Sequence, residues 1–568
     1  MRQGLLLTSN KDIRILEGDR SLTAIACFYP IKQLHASIKM EYLFDSYLSD
    51  IDYNLVGDIA SNWYKSECGK DATGKSRMPI GETLQSHLLI ELSNALRYYF
   101  SLNACLKKYD KILVSENTPR SLKIALKPFL KKIDFFPGDT YEPHITASPN
   151  TKVEPPPVHK YFSMLLRSLQ SVFARDLLNK VLVINDWTYR KVENAECLNI
   201  NKFNLWRTFC LASGKTFFKH VSSKFPHELN QERIADRVSQ LLEKYDFDNK
   251  VKTDLEHICT RVISQKYIES RNNLVRIYCS YWEMFEHYSP SMVVVPGYAH
   301  PFYQTIYSIA KLKNVPTLMV QDGYSFYFDK YNFPRSKDGE HQTFDYCATM
   351  GGSVDTVYKS VFRDIRTRTI RISPPIIATH KTTSQKGGNE NVIVMFPHGM
   401  LYTPTCMWDQ RYKYVLDVIK VLDSLHISKI QIKIKEGENP DKSLEIELMK
   451  SLMPRHSDLS IEFISGKLSE HLYNAKFIVG YLGTAIAESI YAKTPYYIYE
   501  PKILGMSDNF IHDATILDNR QVLRNTEDLR LAISNNRPVK LDKQDMFDGI
   551  DMRDIDYLHI IDNFQKEN

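Results

Sequence analysis

The stretch from Asn391 to Pro501 constrains the fold more than any other. Short apolar, β-branched runs (NVIVM, KIQIKIK, LSIEFI, KFIVG, PYYIY) alternate there with longer stretches of helical period. Parallel strands need crossover helices, so the pattern predicts βαβ units on a parallel sheet. Ligands of such sheets sit at the carboxyl ends of the strands. The runs here end in small or polar residues: Pro397-His398-Gly399, Lys435-Glu436-Gly437-Glu438, Ser465-Gly466-Lys467 and Gly483-Thr484.

At 568 residues the chain is too long for one core, and two or three domains are expected. It is 43% hydrophobic and 25% charged, an ordinary globular composition. A net charge of +6 suits an anionic substrate or a membrane surface but falls far short of a nucleic-acid binder's excess. The nine cysteines are scattered with no CxxC pair, which points to reduced thiols and a cytoplasmic setting. The first residues, MRQGLLLTSNKDIR, have too short an apolar run for a signal peptide, and no window is long and apolar enough to span a membrane. The 34 tyrosines fit either stacking on sugars or bases, or core packing.

Upstream, LTAIACFYP, YNLVGDIA and KILVSE read as strands, and Glu82 to Lys107 as a long amphipathic helix. A helix is expected from Arg120 (RSLKIALKPFLKKIDFF), basic on one side and interrupted by Pro128. It suits either a membrane-surface contact or a solvated lysine face. The proline-rich segment 143–158 reads as a linker, 160–178 as a helix, and VLVIND as a strand. Residues 225–290 are polar and helical. From Ser291 the chain returns to βαβ order. MVVV ends in Gly-Tyr-Ala-His-Pro, carrying His300, and VPTLMV ends in Gln321-Asp322-Gly323. Residues 379–390 are polar and form an interdomain linker.

Gly69 to Ser76 (GKDATGKS) fits the phosphate-loop pattern GxxxxGK[ST]. Its context does not: a buried strand should precede it and a helix follow, whereas SNWYKSEC is polar and Pro79 and Gly81 come next. The Gly483-Thr484 segment is better placed, because a strand enters it and a helix opens there. Free N–H groups with the Thr484 hydroxyl suit a phosphate, and Glu488, one turn on, suits a ribose hydroxyl. His398 and Gly399 offer a donor and a close backbone approach. Lys435 offers a cation and Glu436 an acceptor. Asp322, at the end of a strand and beside His300 from the neighbouring one, is placed as a general base or nucleophile. Each has a plainer alternative: a packed helix start, a structural histidine, a solvated Lys-Glu run, an Asx turn. No HExxH and no His/Cys cluster suggests a metal site.

Two doubly wound halves, the 379–390 linker and the GTAIAES…KTP segment resemble GT-B glycosyltransferases. More narrowly, the chain is similar to bacterial surface-carbohydrate enzymes: capsule Kdo transferases, teichoic-acid polymerases and bacterial sialyltransferases. The resemblance covers roughly 291–515 and implies an α/β, GT-B fold of two Rossmann-like domains facing a cleft. Residues 1–380 would be the acceptor side, with a helical insert at about 200–290. Residues 391–515 would bind the nucleotide-sugar, and 516–568 would be a helical tail. Those families carry the catalytic group in a Gln-His-Gly or acid-Asp-Gly triplet, a role that falls here on Asp322 in VQDG, with His300 beside it. Their Lys-x-His-Pro strand end is missing: the corresponding strand ends KIKEGE.

The function implied is metal-independent transfer from a nucleotide-sugar to a glycan or lipid-linked oligosaccharide. Asp-Gly triplets go with CMP-activated acidic sugars, Kdo or a nonulosonate. No cofactor beyond the nucleotide-sugar is implied, and no nucleic acid. The setting implied is the cytoplasm, with a peripheral contact at the inner face of the membrane. Three other functions compete: a GT-B-like sugar-nucleotide epimerase, a kinase or sulfotransferase built on Gly69–Ser76, and a non-catalytic glycan-assembly protein.

Overall fold

The computed structural model describes residues 2–8, 12, 14–19, 21–27, 40–43, 47, 53–65, 80–138, 181–183, 201–202, 228–295, 301–321, 327–329, 344–361, 367–374, 391–397, 408–434, 450, 459–501, 510–515 and 519–567.

Three parallel sheets organise the chain. The first is β1 (Gln3–Leu7), β2 (Thr23–Ala26), β3 (Met40–Tyr42), β4 (Lys111–Ser115) and β5 (Ile133–Phe136), in the order β3-β2-β1-β4-β5. The second is β6 (Val181–Val183), β7 (Asn201–Lys202), β8 (Met292–Val295), β9 (Thr317–Val320), β11 (Tyr346–Met350) and β12 (Arg368–Ile372), in the order β12-β11-β9-β8-β6-β7. The third is β13 (Asn391–Met395), β14 (Lys429–Lys433), β15 (Ser460–Ile464), β16 (Ala475–Gly480), β17 (Tyr496–Tyr499) and β19 (Val522–Leu523), in the order β15-β14-β13-β16-β17-β19. Strands β8, β9, β11 and β17 are buried along their whole length. Apolar runs without alternation are what strands covered on both faces require. The region before residue 380 thus holds two sheets, the first of which the sequence pattern does not separate from the second.

Helices cover these sheets. They are α1 (Arg14–Gly18), α2 (Tyr53–Asn62), α3 (Ile80–Cys105), α4 (Arg120–Leu126), α5 (Gln231–Leu242), α6 (Asn249–Tyr288), α7 (Pro301–Leu312) and α8 (Gly352–Val361), then α9 (Trp408–Ser424), α10 (Ser469–Leu472), α11 (Ala485–Ala492), α12 (Thr526–Ser534), α13 (Lys543–Met546) and α14 (Tyr557–Glu567). The polar segment expected to be helical contains α5 and α6. Asn230 and Asp248 cap them by accepting N–H bonds from Arg233 and Val251. The long helix α3 packs on both α6 and α7, which couples the first sheet to the second.

Two expectations fail. YNLVGDIA is not a strand: Leu55, Val56, Ile59 and Ala60 are fully buried on one side of α2, at helical spacing. The basic segment from Arg120 is interrupted at its proline as expected, but it does not resume as a helix beyond it. It breaks at Pro128 into α4, a 3₁₀ turn (Lys127–Lys132) and strand β5, because proline has no N–H to continue the α-helical ladder.

The tail ties the third sheet back to the second. Helix α13 contacts both α8 and α11. Beyond it, Ser373 N–H donates to the Ile550 carbonyl at 2.8 Å, and Ile550 forms a parallel bridge with Ile372. A separate ribbon pairs β10 (Tyr327–Asp329) antiparallel with β18 (Phe510–Thr515). The described cysteines Cys27, Cys105, Cys259, Cys279 and Cys347 are free and buried. Among the described residues no helix is long and apolar enough to cross a membrane.

Candidate functional site

In its own chain order the third sheet runs 3-2-1-4-5-6, the doubly wound arrangement whose order reverses between its first and fourth strands, β13 and β16. A crevice opens at the carboxyl ends of strands at such a reversal. Two sequence-predicted loops leave the sheet there. One follows β13 and leads to His398 and Gly399. The other follows β16 and holds Gly483 and Thr484.

The second loop is held from beneath by β17. Strand period places Tyr496 and Glu500 on one face. The Tyr496 hydroxyl donates to the Tyr481 carbonyl at 2.8 Å, and Glu500 Oε1 accepts the Leu482 N–H at 3.2 Å. Both side chains are buried. Burial raises the Tyr496 phenol well above its ordinary value, so it remains a donor at neutral pH. Gly480 makes room for it: a Cβ there would lie 2.0 Å from Tyr496 Oη. Arg524, just after β19, brings Nη1 to 3.8 Å from Glu500 Oε2 and balances part of the buried charge.

Helix α11 opens at Thr484, which has helical dihedrals and whose side chain makes no capping hydrogen bond. The N–H groups of Gly483, Thr484 and Ala485 find no acceptor among the described residues. A helix N-terminus with free N–H groups and a free hydroxyl is a ready anion site. Beyond contact with Tyr481 Cε2 at 3.6 Å, a Cβ on Gly483 would meet open space. Glu488 stands in the first turn, partly exposed, four residues from Thr484 and on the same face.

Thus Gly483, Thr484 and Glu488 are brought together. His300, Asp322, His398, Gly399, Lys435 and Glu436 lie outside the described residues, as does Gly69–Ser76. The strands leading to the first two of these, β8 and β9, are adjacent and parallel. At the end of β9, Gln321 is buried, and its Oε1 accepts the Met350 N–H at 2.7 Å. That bond extends the ladder to β11 by one side chain. Gln321 Nε2 is buried and has no hydrogen-bond partner among the described residues.

Sequence reasoning missed the supporting residues Tyr496, Glu500 and Arg524, and the buried Lys433 at the end of β14, whose Nζ donates to the Ile434 carbonyl. The signal for Glu500 was available: one charge between a wholly apolar strand and Pro501. Lys433 left no such signal: it stands in phase with the exposed Lys429, not with the buried Ile430 and Ile432.

No protein-family model matches the chain, and no curated protein matches it. It is similar to solved structures of low identity. These include a UDP-GlcNAc 2-epimerase from Methanocaldococcus jannaschii in complex with UDP-GlcNAc and UDP (13% identity, TM-score 0.35, covering 52% of this chain and 81% of that one). A second is the UDP-GlcNAc 2-epimerase from Neisseria meningitidis bound to UDP-GlcNAc (10%, TM-score 0.36, 68% and 99%). A third is MurG from Acinetobacter baumannii (9%, TM-score 0.30, 51% and 78%). Strand order, rather than these likenesses, carries the architecture: an α/β fold built on Rossmann-like parallel sheets.

Proposed function

We propose that this chain is a glycosyltransferase that moves a sugar from a nucleotide donor to a bacterial surface glycan or lipid-linked oligosaccharide. The observation that carries this is the loop at the sheet's reversal, where free N–H groups and the Thr484 hydroxyl gather on a clamped backbone. A nucleotide's phosphate suits that end, and Glu488 suits its ribose. His398, Gly399, Lys435 and Glu436 complete the donor side. The donor favoured is a CMP-activated acidic sugar such as Kdo or a nonulosonate. Asp322 acts as base on the acceptor hydroxyl or as nucleophile, with His300 beside it, and no metal takes part. The enzyme works in the cytoplasm, at the inner face of the membrane. Residues 1–380 serve the acceptor, 391–515 the donor, and 516–568 form the tail.

Asp322→Ala should keep the fold and nucleotide binding while abolishing transfer. Retained turnover would remove Asp322 from the mechanism. Turnover of a UDP-sugar without any acceptor would replace transfer by epimerisation.

A further inference from the structure

Helix α4 and the 3₁₀ turn after it lie along α6. Arg120 Nε donates to Gln265 Oε1 at 2.8 Å, and its guanidinium pairs with Glu269. Seven residues on, Lys127 is near Arg261 and His257. Burial first, then Arg261, holds the Lys127 ammonium below its ordinary value. Burial, Lys127 and Arg261 do the same to His257, against Asp254 and Glu256. So the two segments run antiparallel, side by side.

Their outer surface pairs cations with apolar side chains. Lys123, Leu130 and Lys131 are exposed on one segment, His257, Arg261 and Ile268 on the other. Leu130 is 53% exposed and Ile268 49%, among the most exposed large apolar residues described. Side chains three apart eclipse in a 3₁₀ turn, which sets Leu130 over Lys127. At 3.6 residues per turn, His257, Arg261 and Ile268 share one stripe. Lys123, Lys127, Lys131 and Arg261 have no carboxylate partner among the described residues. Of the acids bordering them, Glu269 pairs with Arg120, Asp134 pairs with Lys111 at 2.7 Å, and Asp254 accepts the Tyr99 hydroxyl at 2.9 Å, while Glu256 lies near His257. Cations in excess of the acids around them repel one another, and an anionic partner relieves that repulsion.

We propose that this face docks on the anionic surface of a lipid bilayer, an inference that rests on the lipid-linked acceptor suggested above and specifies where the chain meets the membrane. The cations meet headgroups, while Leu130 and Ile268, at the two ends of the row, enter the acyl boundary. A soluble polyanion such as RNA would use the cations and leave both apolar side chains idle.

The test is cosedimentation of the full chain with vesicles of phosphatidylcholine alone or with one third phosphatidylglycerol. Binding is expected only to the anionic vesicles. Lys127→Glu with Lys131→Glu should lower it by at least about tenfold. Leu130→Ser with Ile268→Ser should lower it several-fold, with all variants melting like the parent. Failure of the parent to bind, or indifference to the charge reversal, would overturn the proposal. So would an RNA complex that depends on the lysines but not on Leu130 and Ile268. Sedimentation needs no nucleotide, so vesicle binding by a chain that ignores every nucleotide would sink the transferase assignment and leave the docking face standing.

Discussion

The Tyr496 hydroxyl reaches across from β17 to the Tyr481 carbonyl, 2.8 Å away, and fixes the loop that opens α11. Tyr496→Phe removes one buried donor and leaves a carbonyl unsatisfied. The expected loss is about 1 kcal/mol of stability. Nucleotide affinity should fall with it, because the N–H groups of Gly483 and Thr484 lose their fixed aim. Glu500→Gln, which keeps an acceptor for the Leu482 N–H, should be milder in affinity. Calorimetric melting and nucleotide titration of both variants check this.

Gly480 and Tyr496 are coupled by space. A Cβ at Gly480 would lie 2.0 Å from Tyr496 Oη and 2.9 Å from Met395 Cγ. Gly480→Ala should therefore cost about 1–3 kcal/mol by overpacking. Adding Tyr496→Phe to Gly480→Ala should recover part of it, giving a coupling above about 0.5 kcal/mol in a double-mutant cycle. Strict additivity would contradict the packing described.

A pH prediction follows from Glu41 on β3. Burial alone would push its carboxyl up. Hydrogen bonds from Lys108, Tyr47 and Tyr109, the last at 2.7 Å, outweigh that and hold it at about 2 against an ordinary 4.5. A depressed folded-state value means that the unfolded chain takes up the proton first. Glu41 therefore stabilises the fold above pH 4.5, and its contribution is lost as pH falls toward 2. Melting temperatures between these limits should fall more steeply for the parent than for Glu41→Gln. Equal slopes would show that Glu41 does not carry this term.

Much of the third sheet was legible because β13, β16 and β17 are buried over most of their length and read as Val-Ile-Tyr runs, while β14 and β15 alternate apolar with polar residues. YNLVGDIA misled because a short apolar run cannot by itself tell strand from helix. The donor loop was found from Gly483 and Thr484, which are local. Tyr496 and Glu500 escaped because their partners, Tyr481 and Leu482, lie on the neighbouring strand's loop, and only the register of β16 with β17 brings them together. The crossing of the tail to β12 left no local mark either. The bridge between Ile372 and Ile550 spans the whole of the third sheet in sequence.

The most direct measurement is a thermal-shift panel of CMP, CDP, UDP, GDP, UMP and ATP, run on the parent and on Thr484→Val. A nucleotide at about a hundred times its dissociation constant stabilises by about 2.7 kcal/mol. The expected result is a shift with CMP that shrinks in Thr484→Val, whose own melting point is unchanged because the lost hydroxyl makes no cap. A shift with UDP or GDP that Thr484→Val also diminishes would keep the site and change the donor. A shift equal in both proteins, or ATP alone acting through Lys75, would contradict a nucleotide-sugar site at the opening of α11.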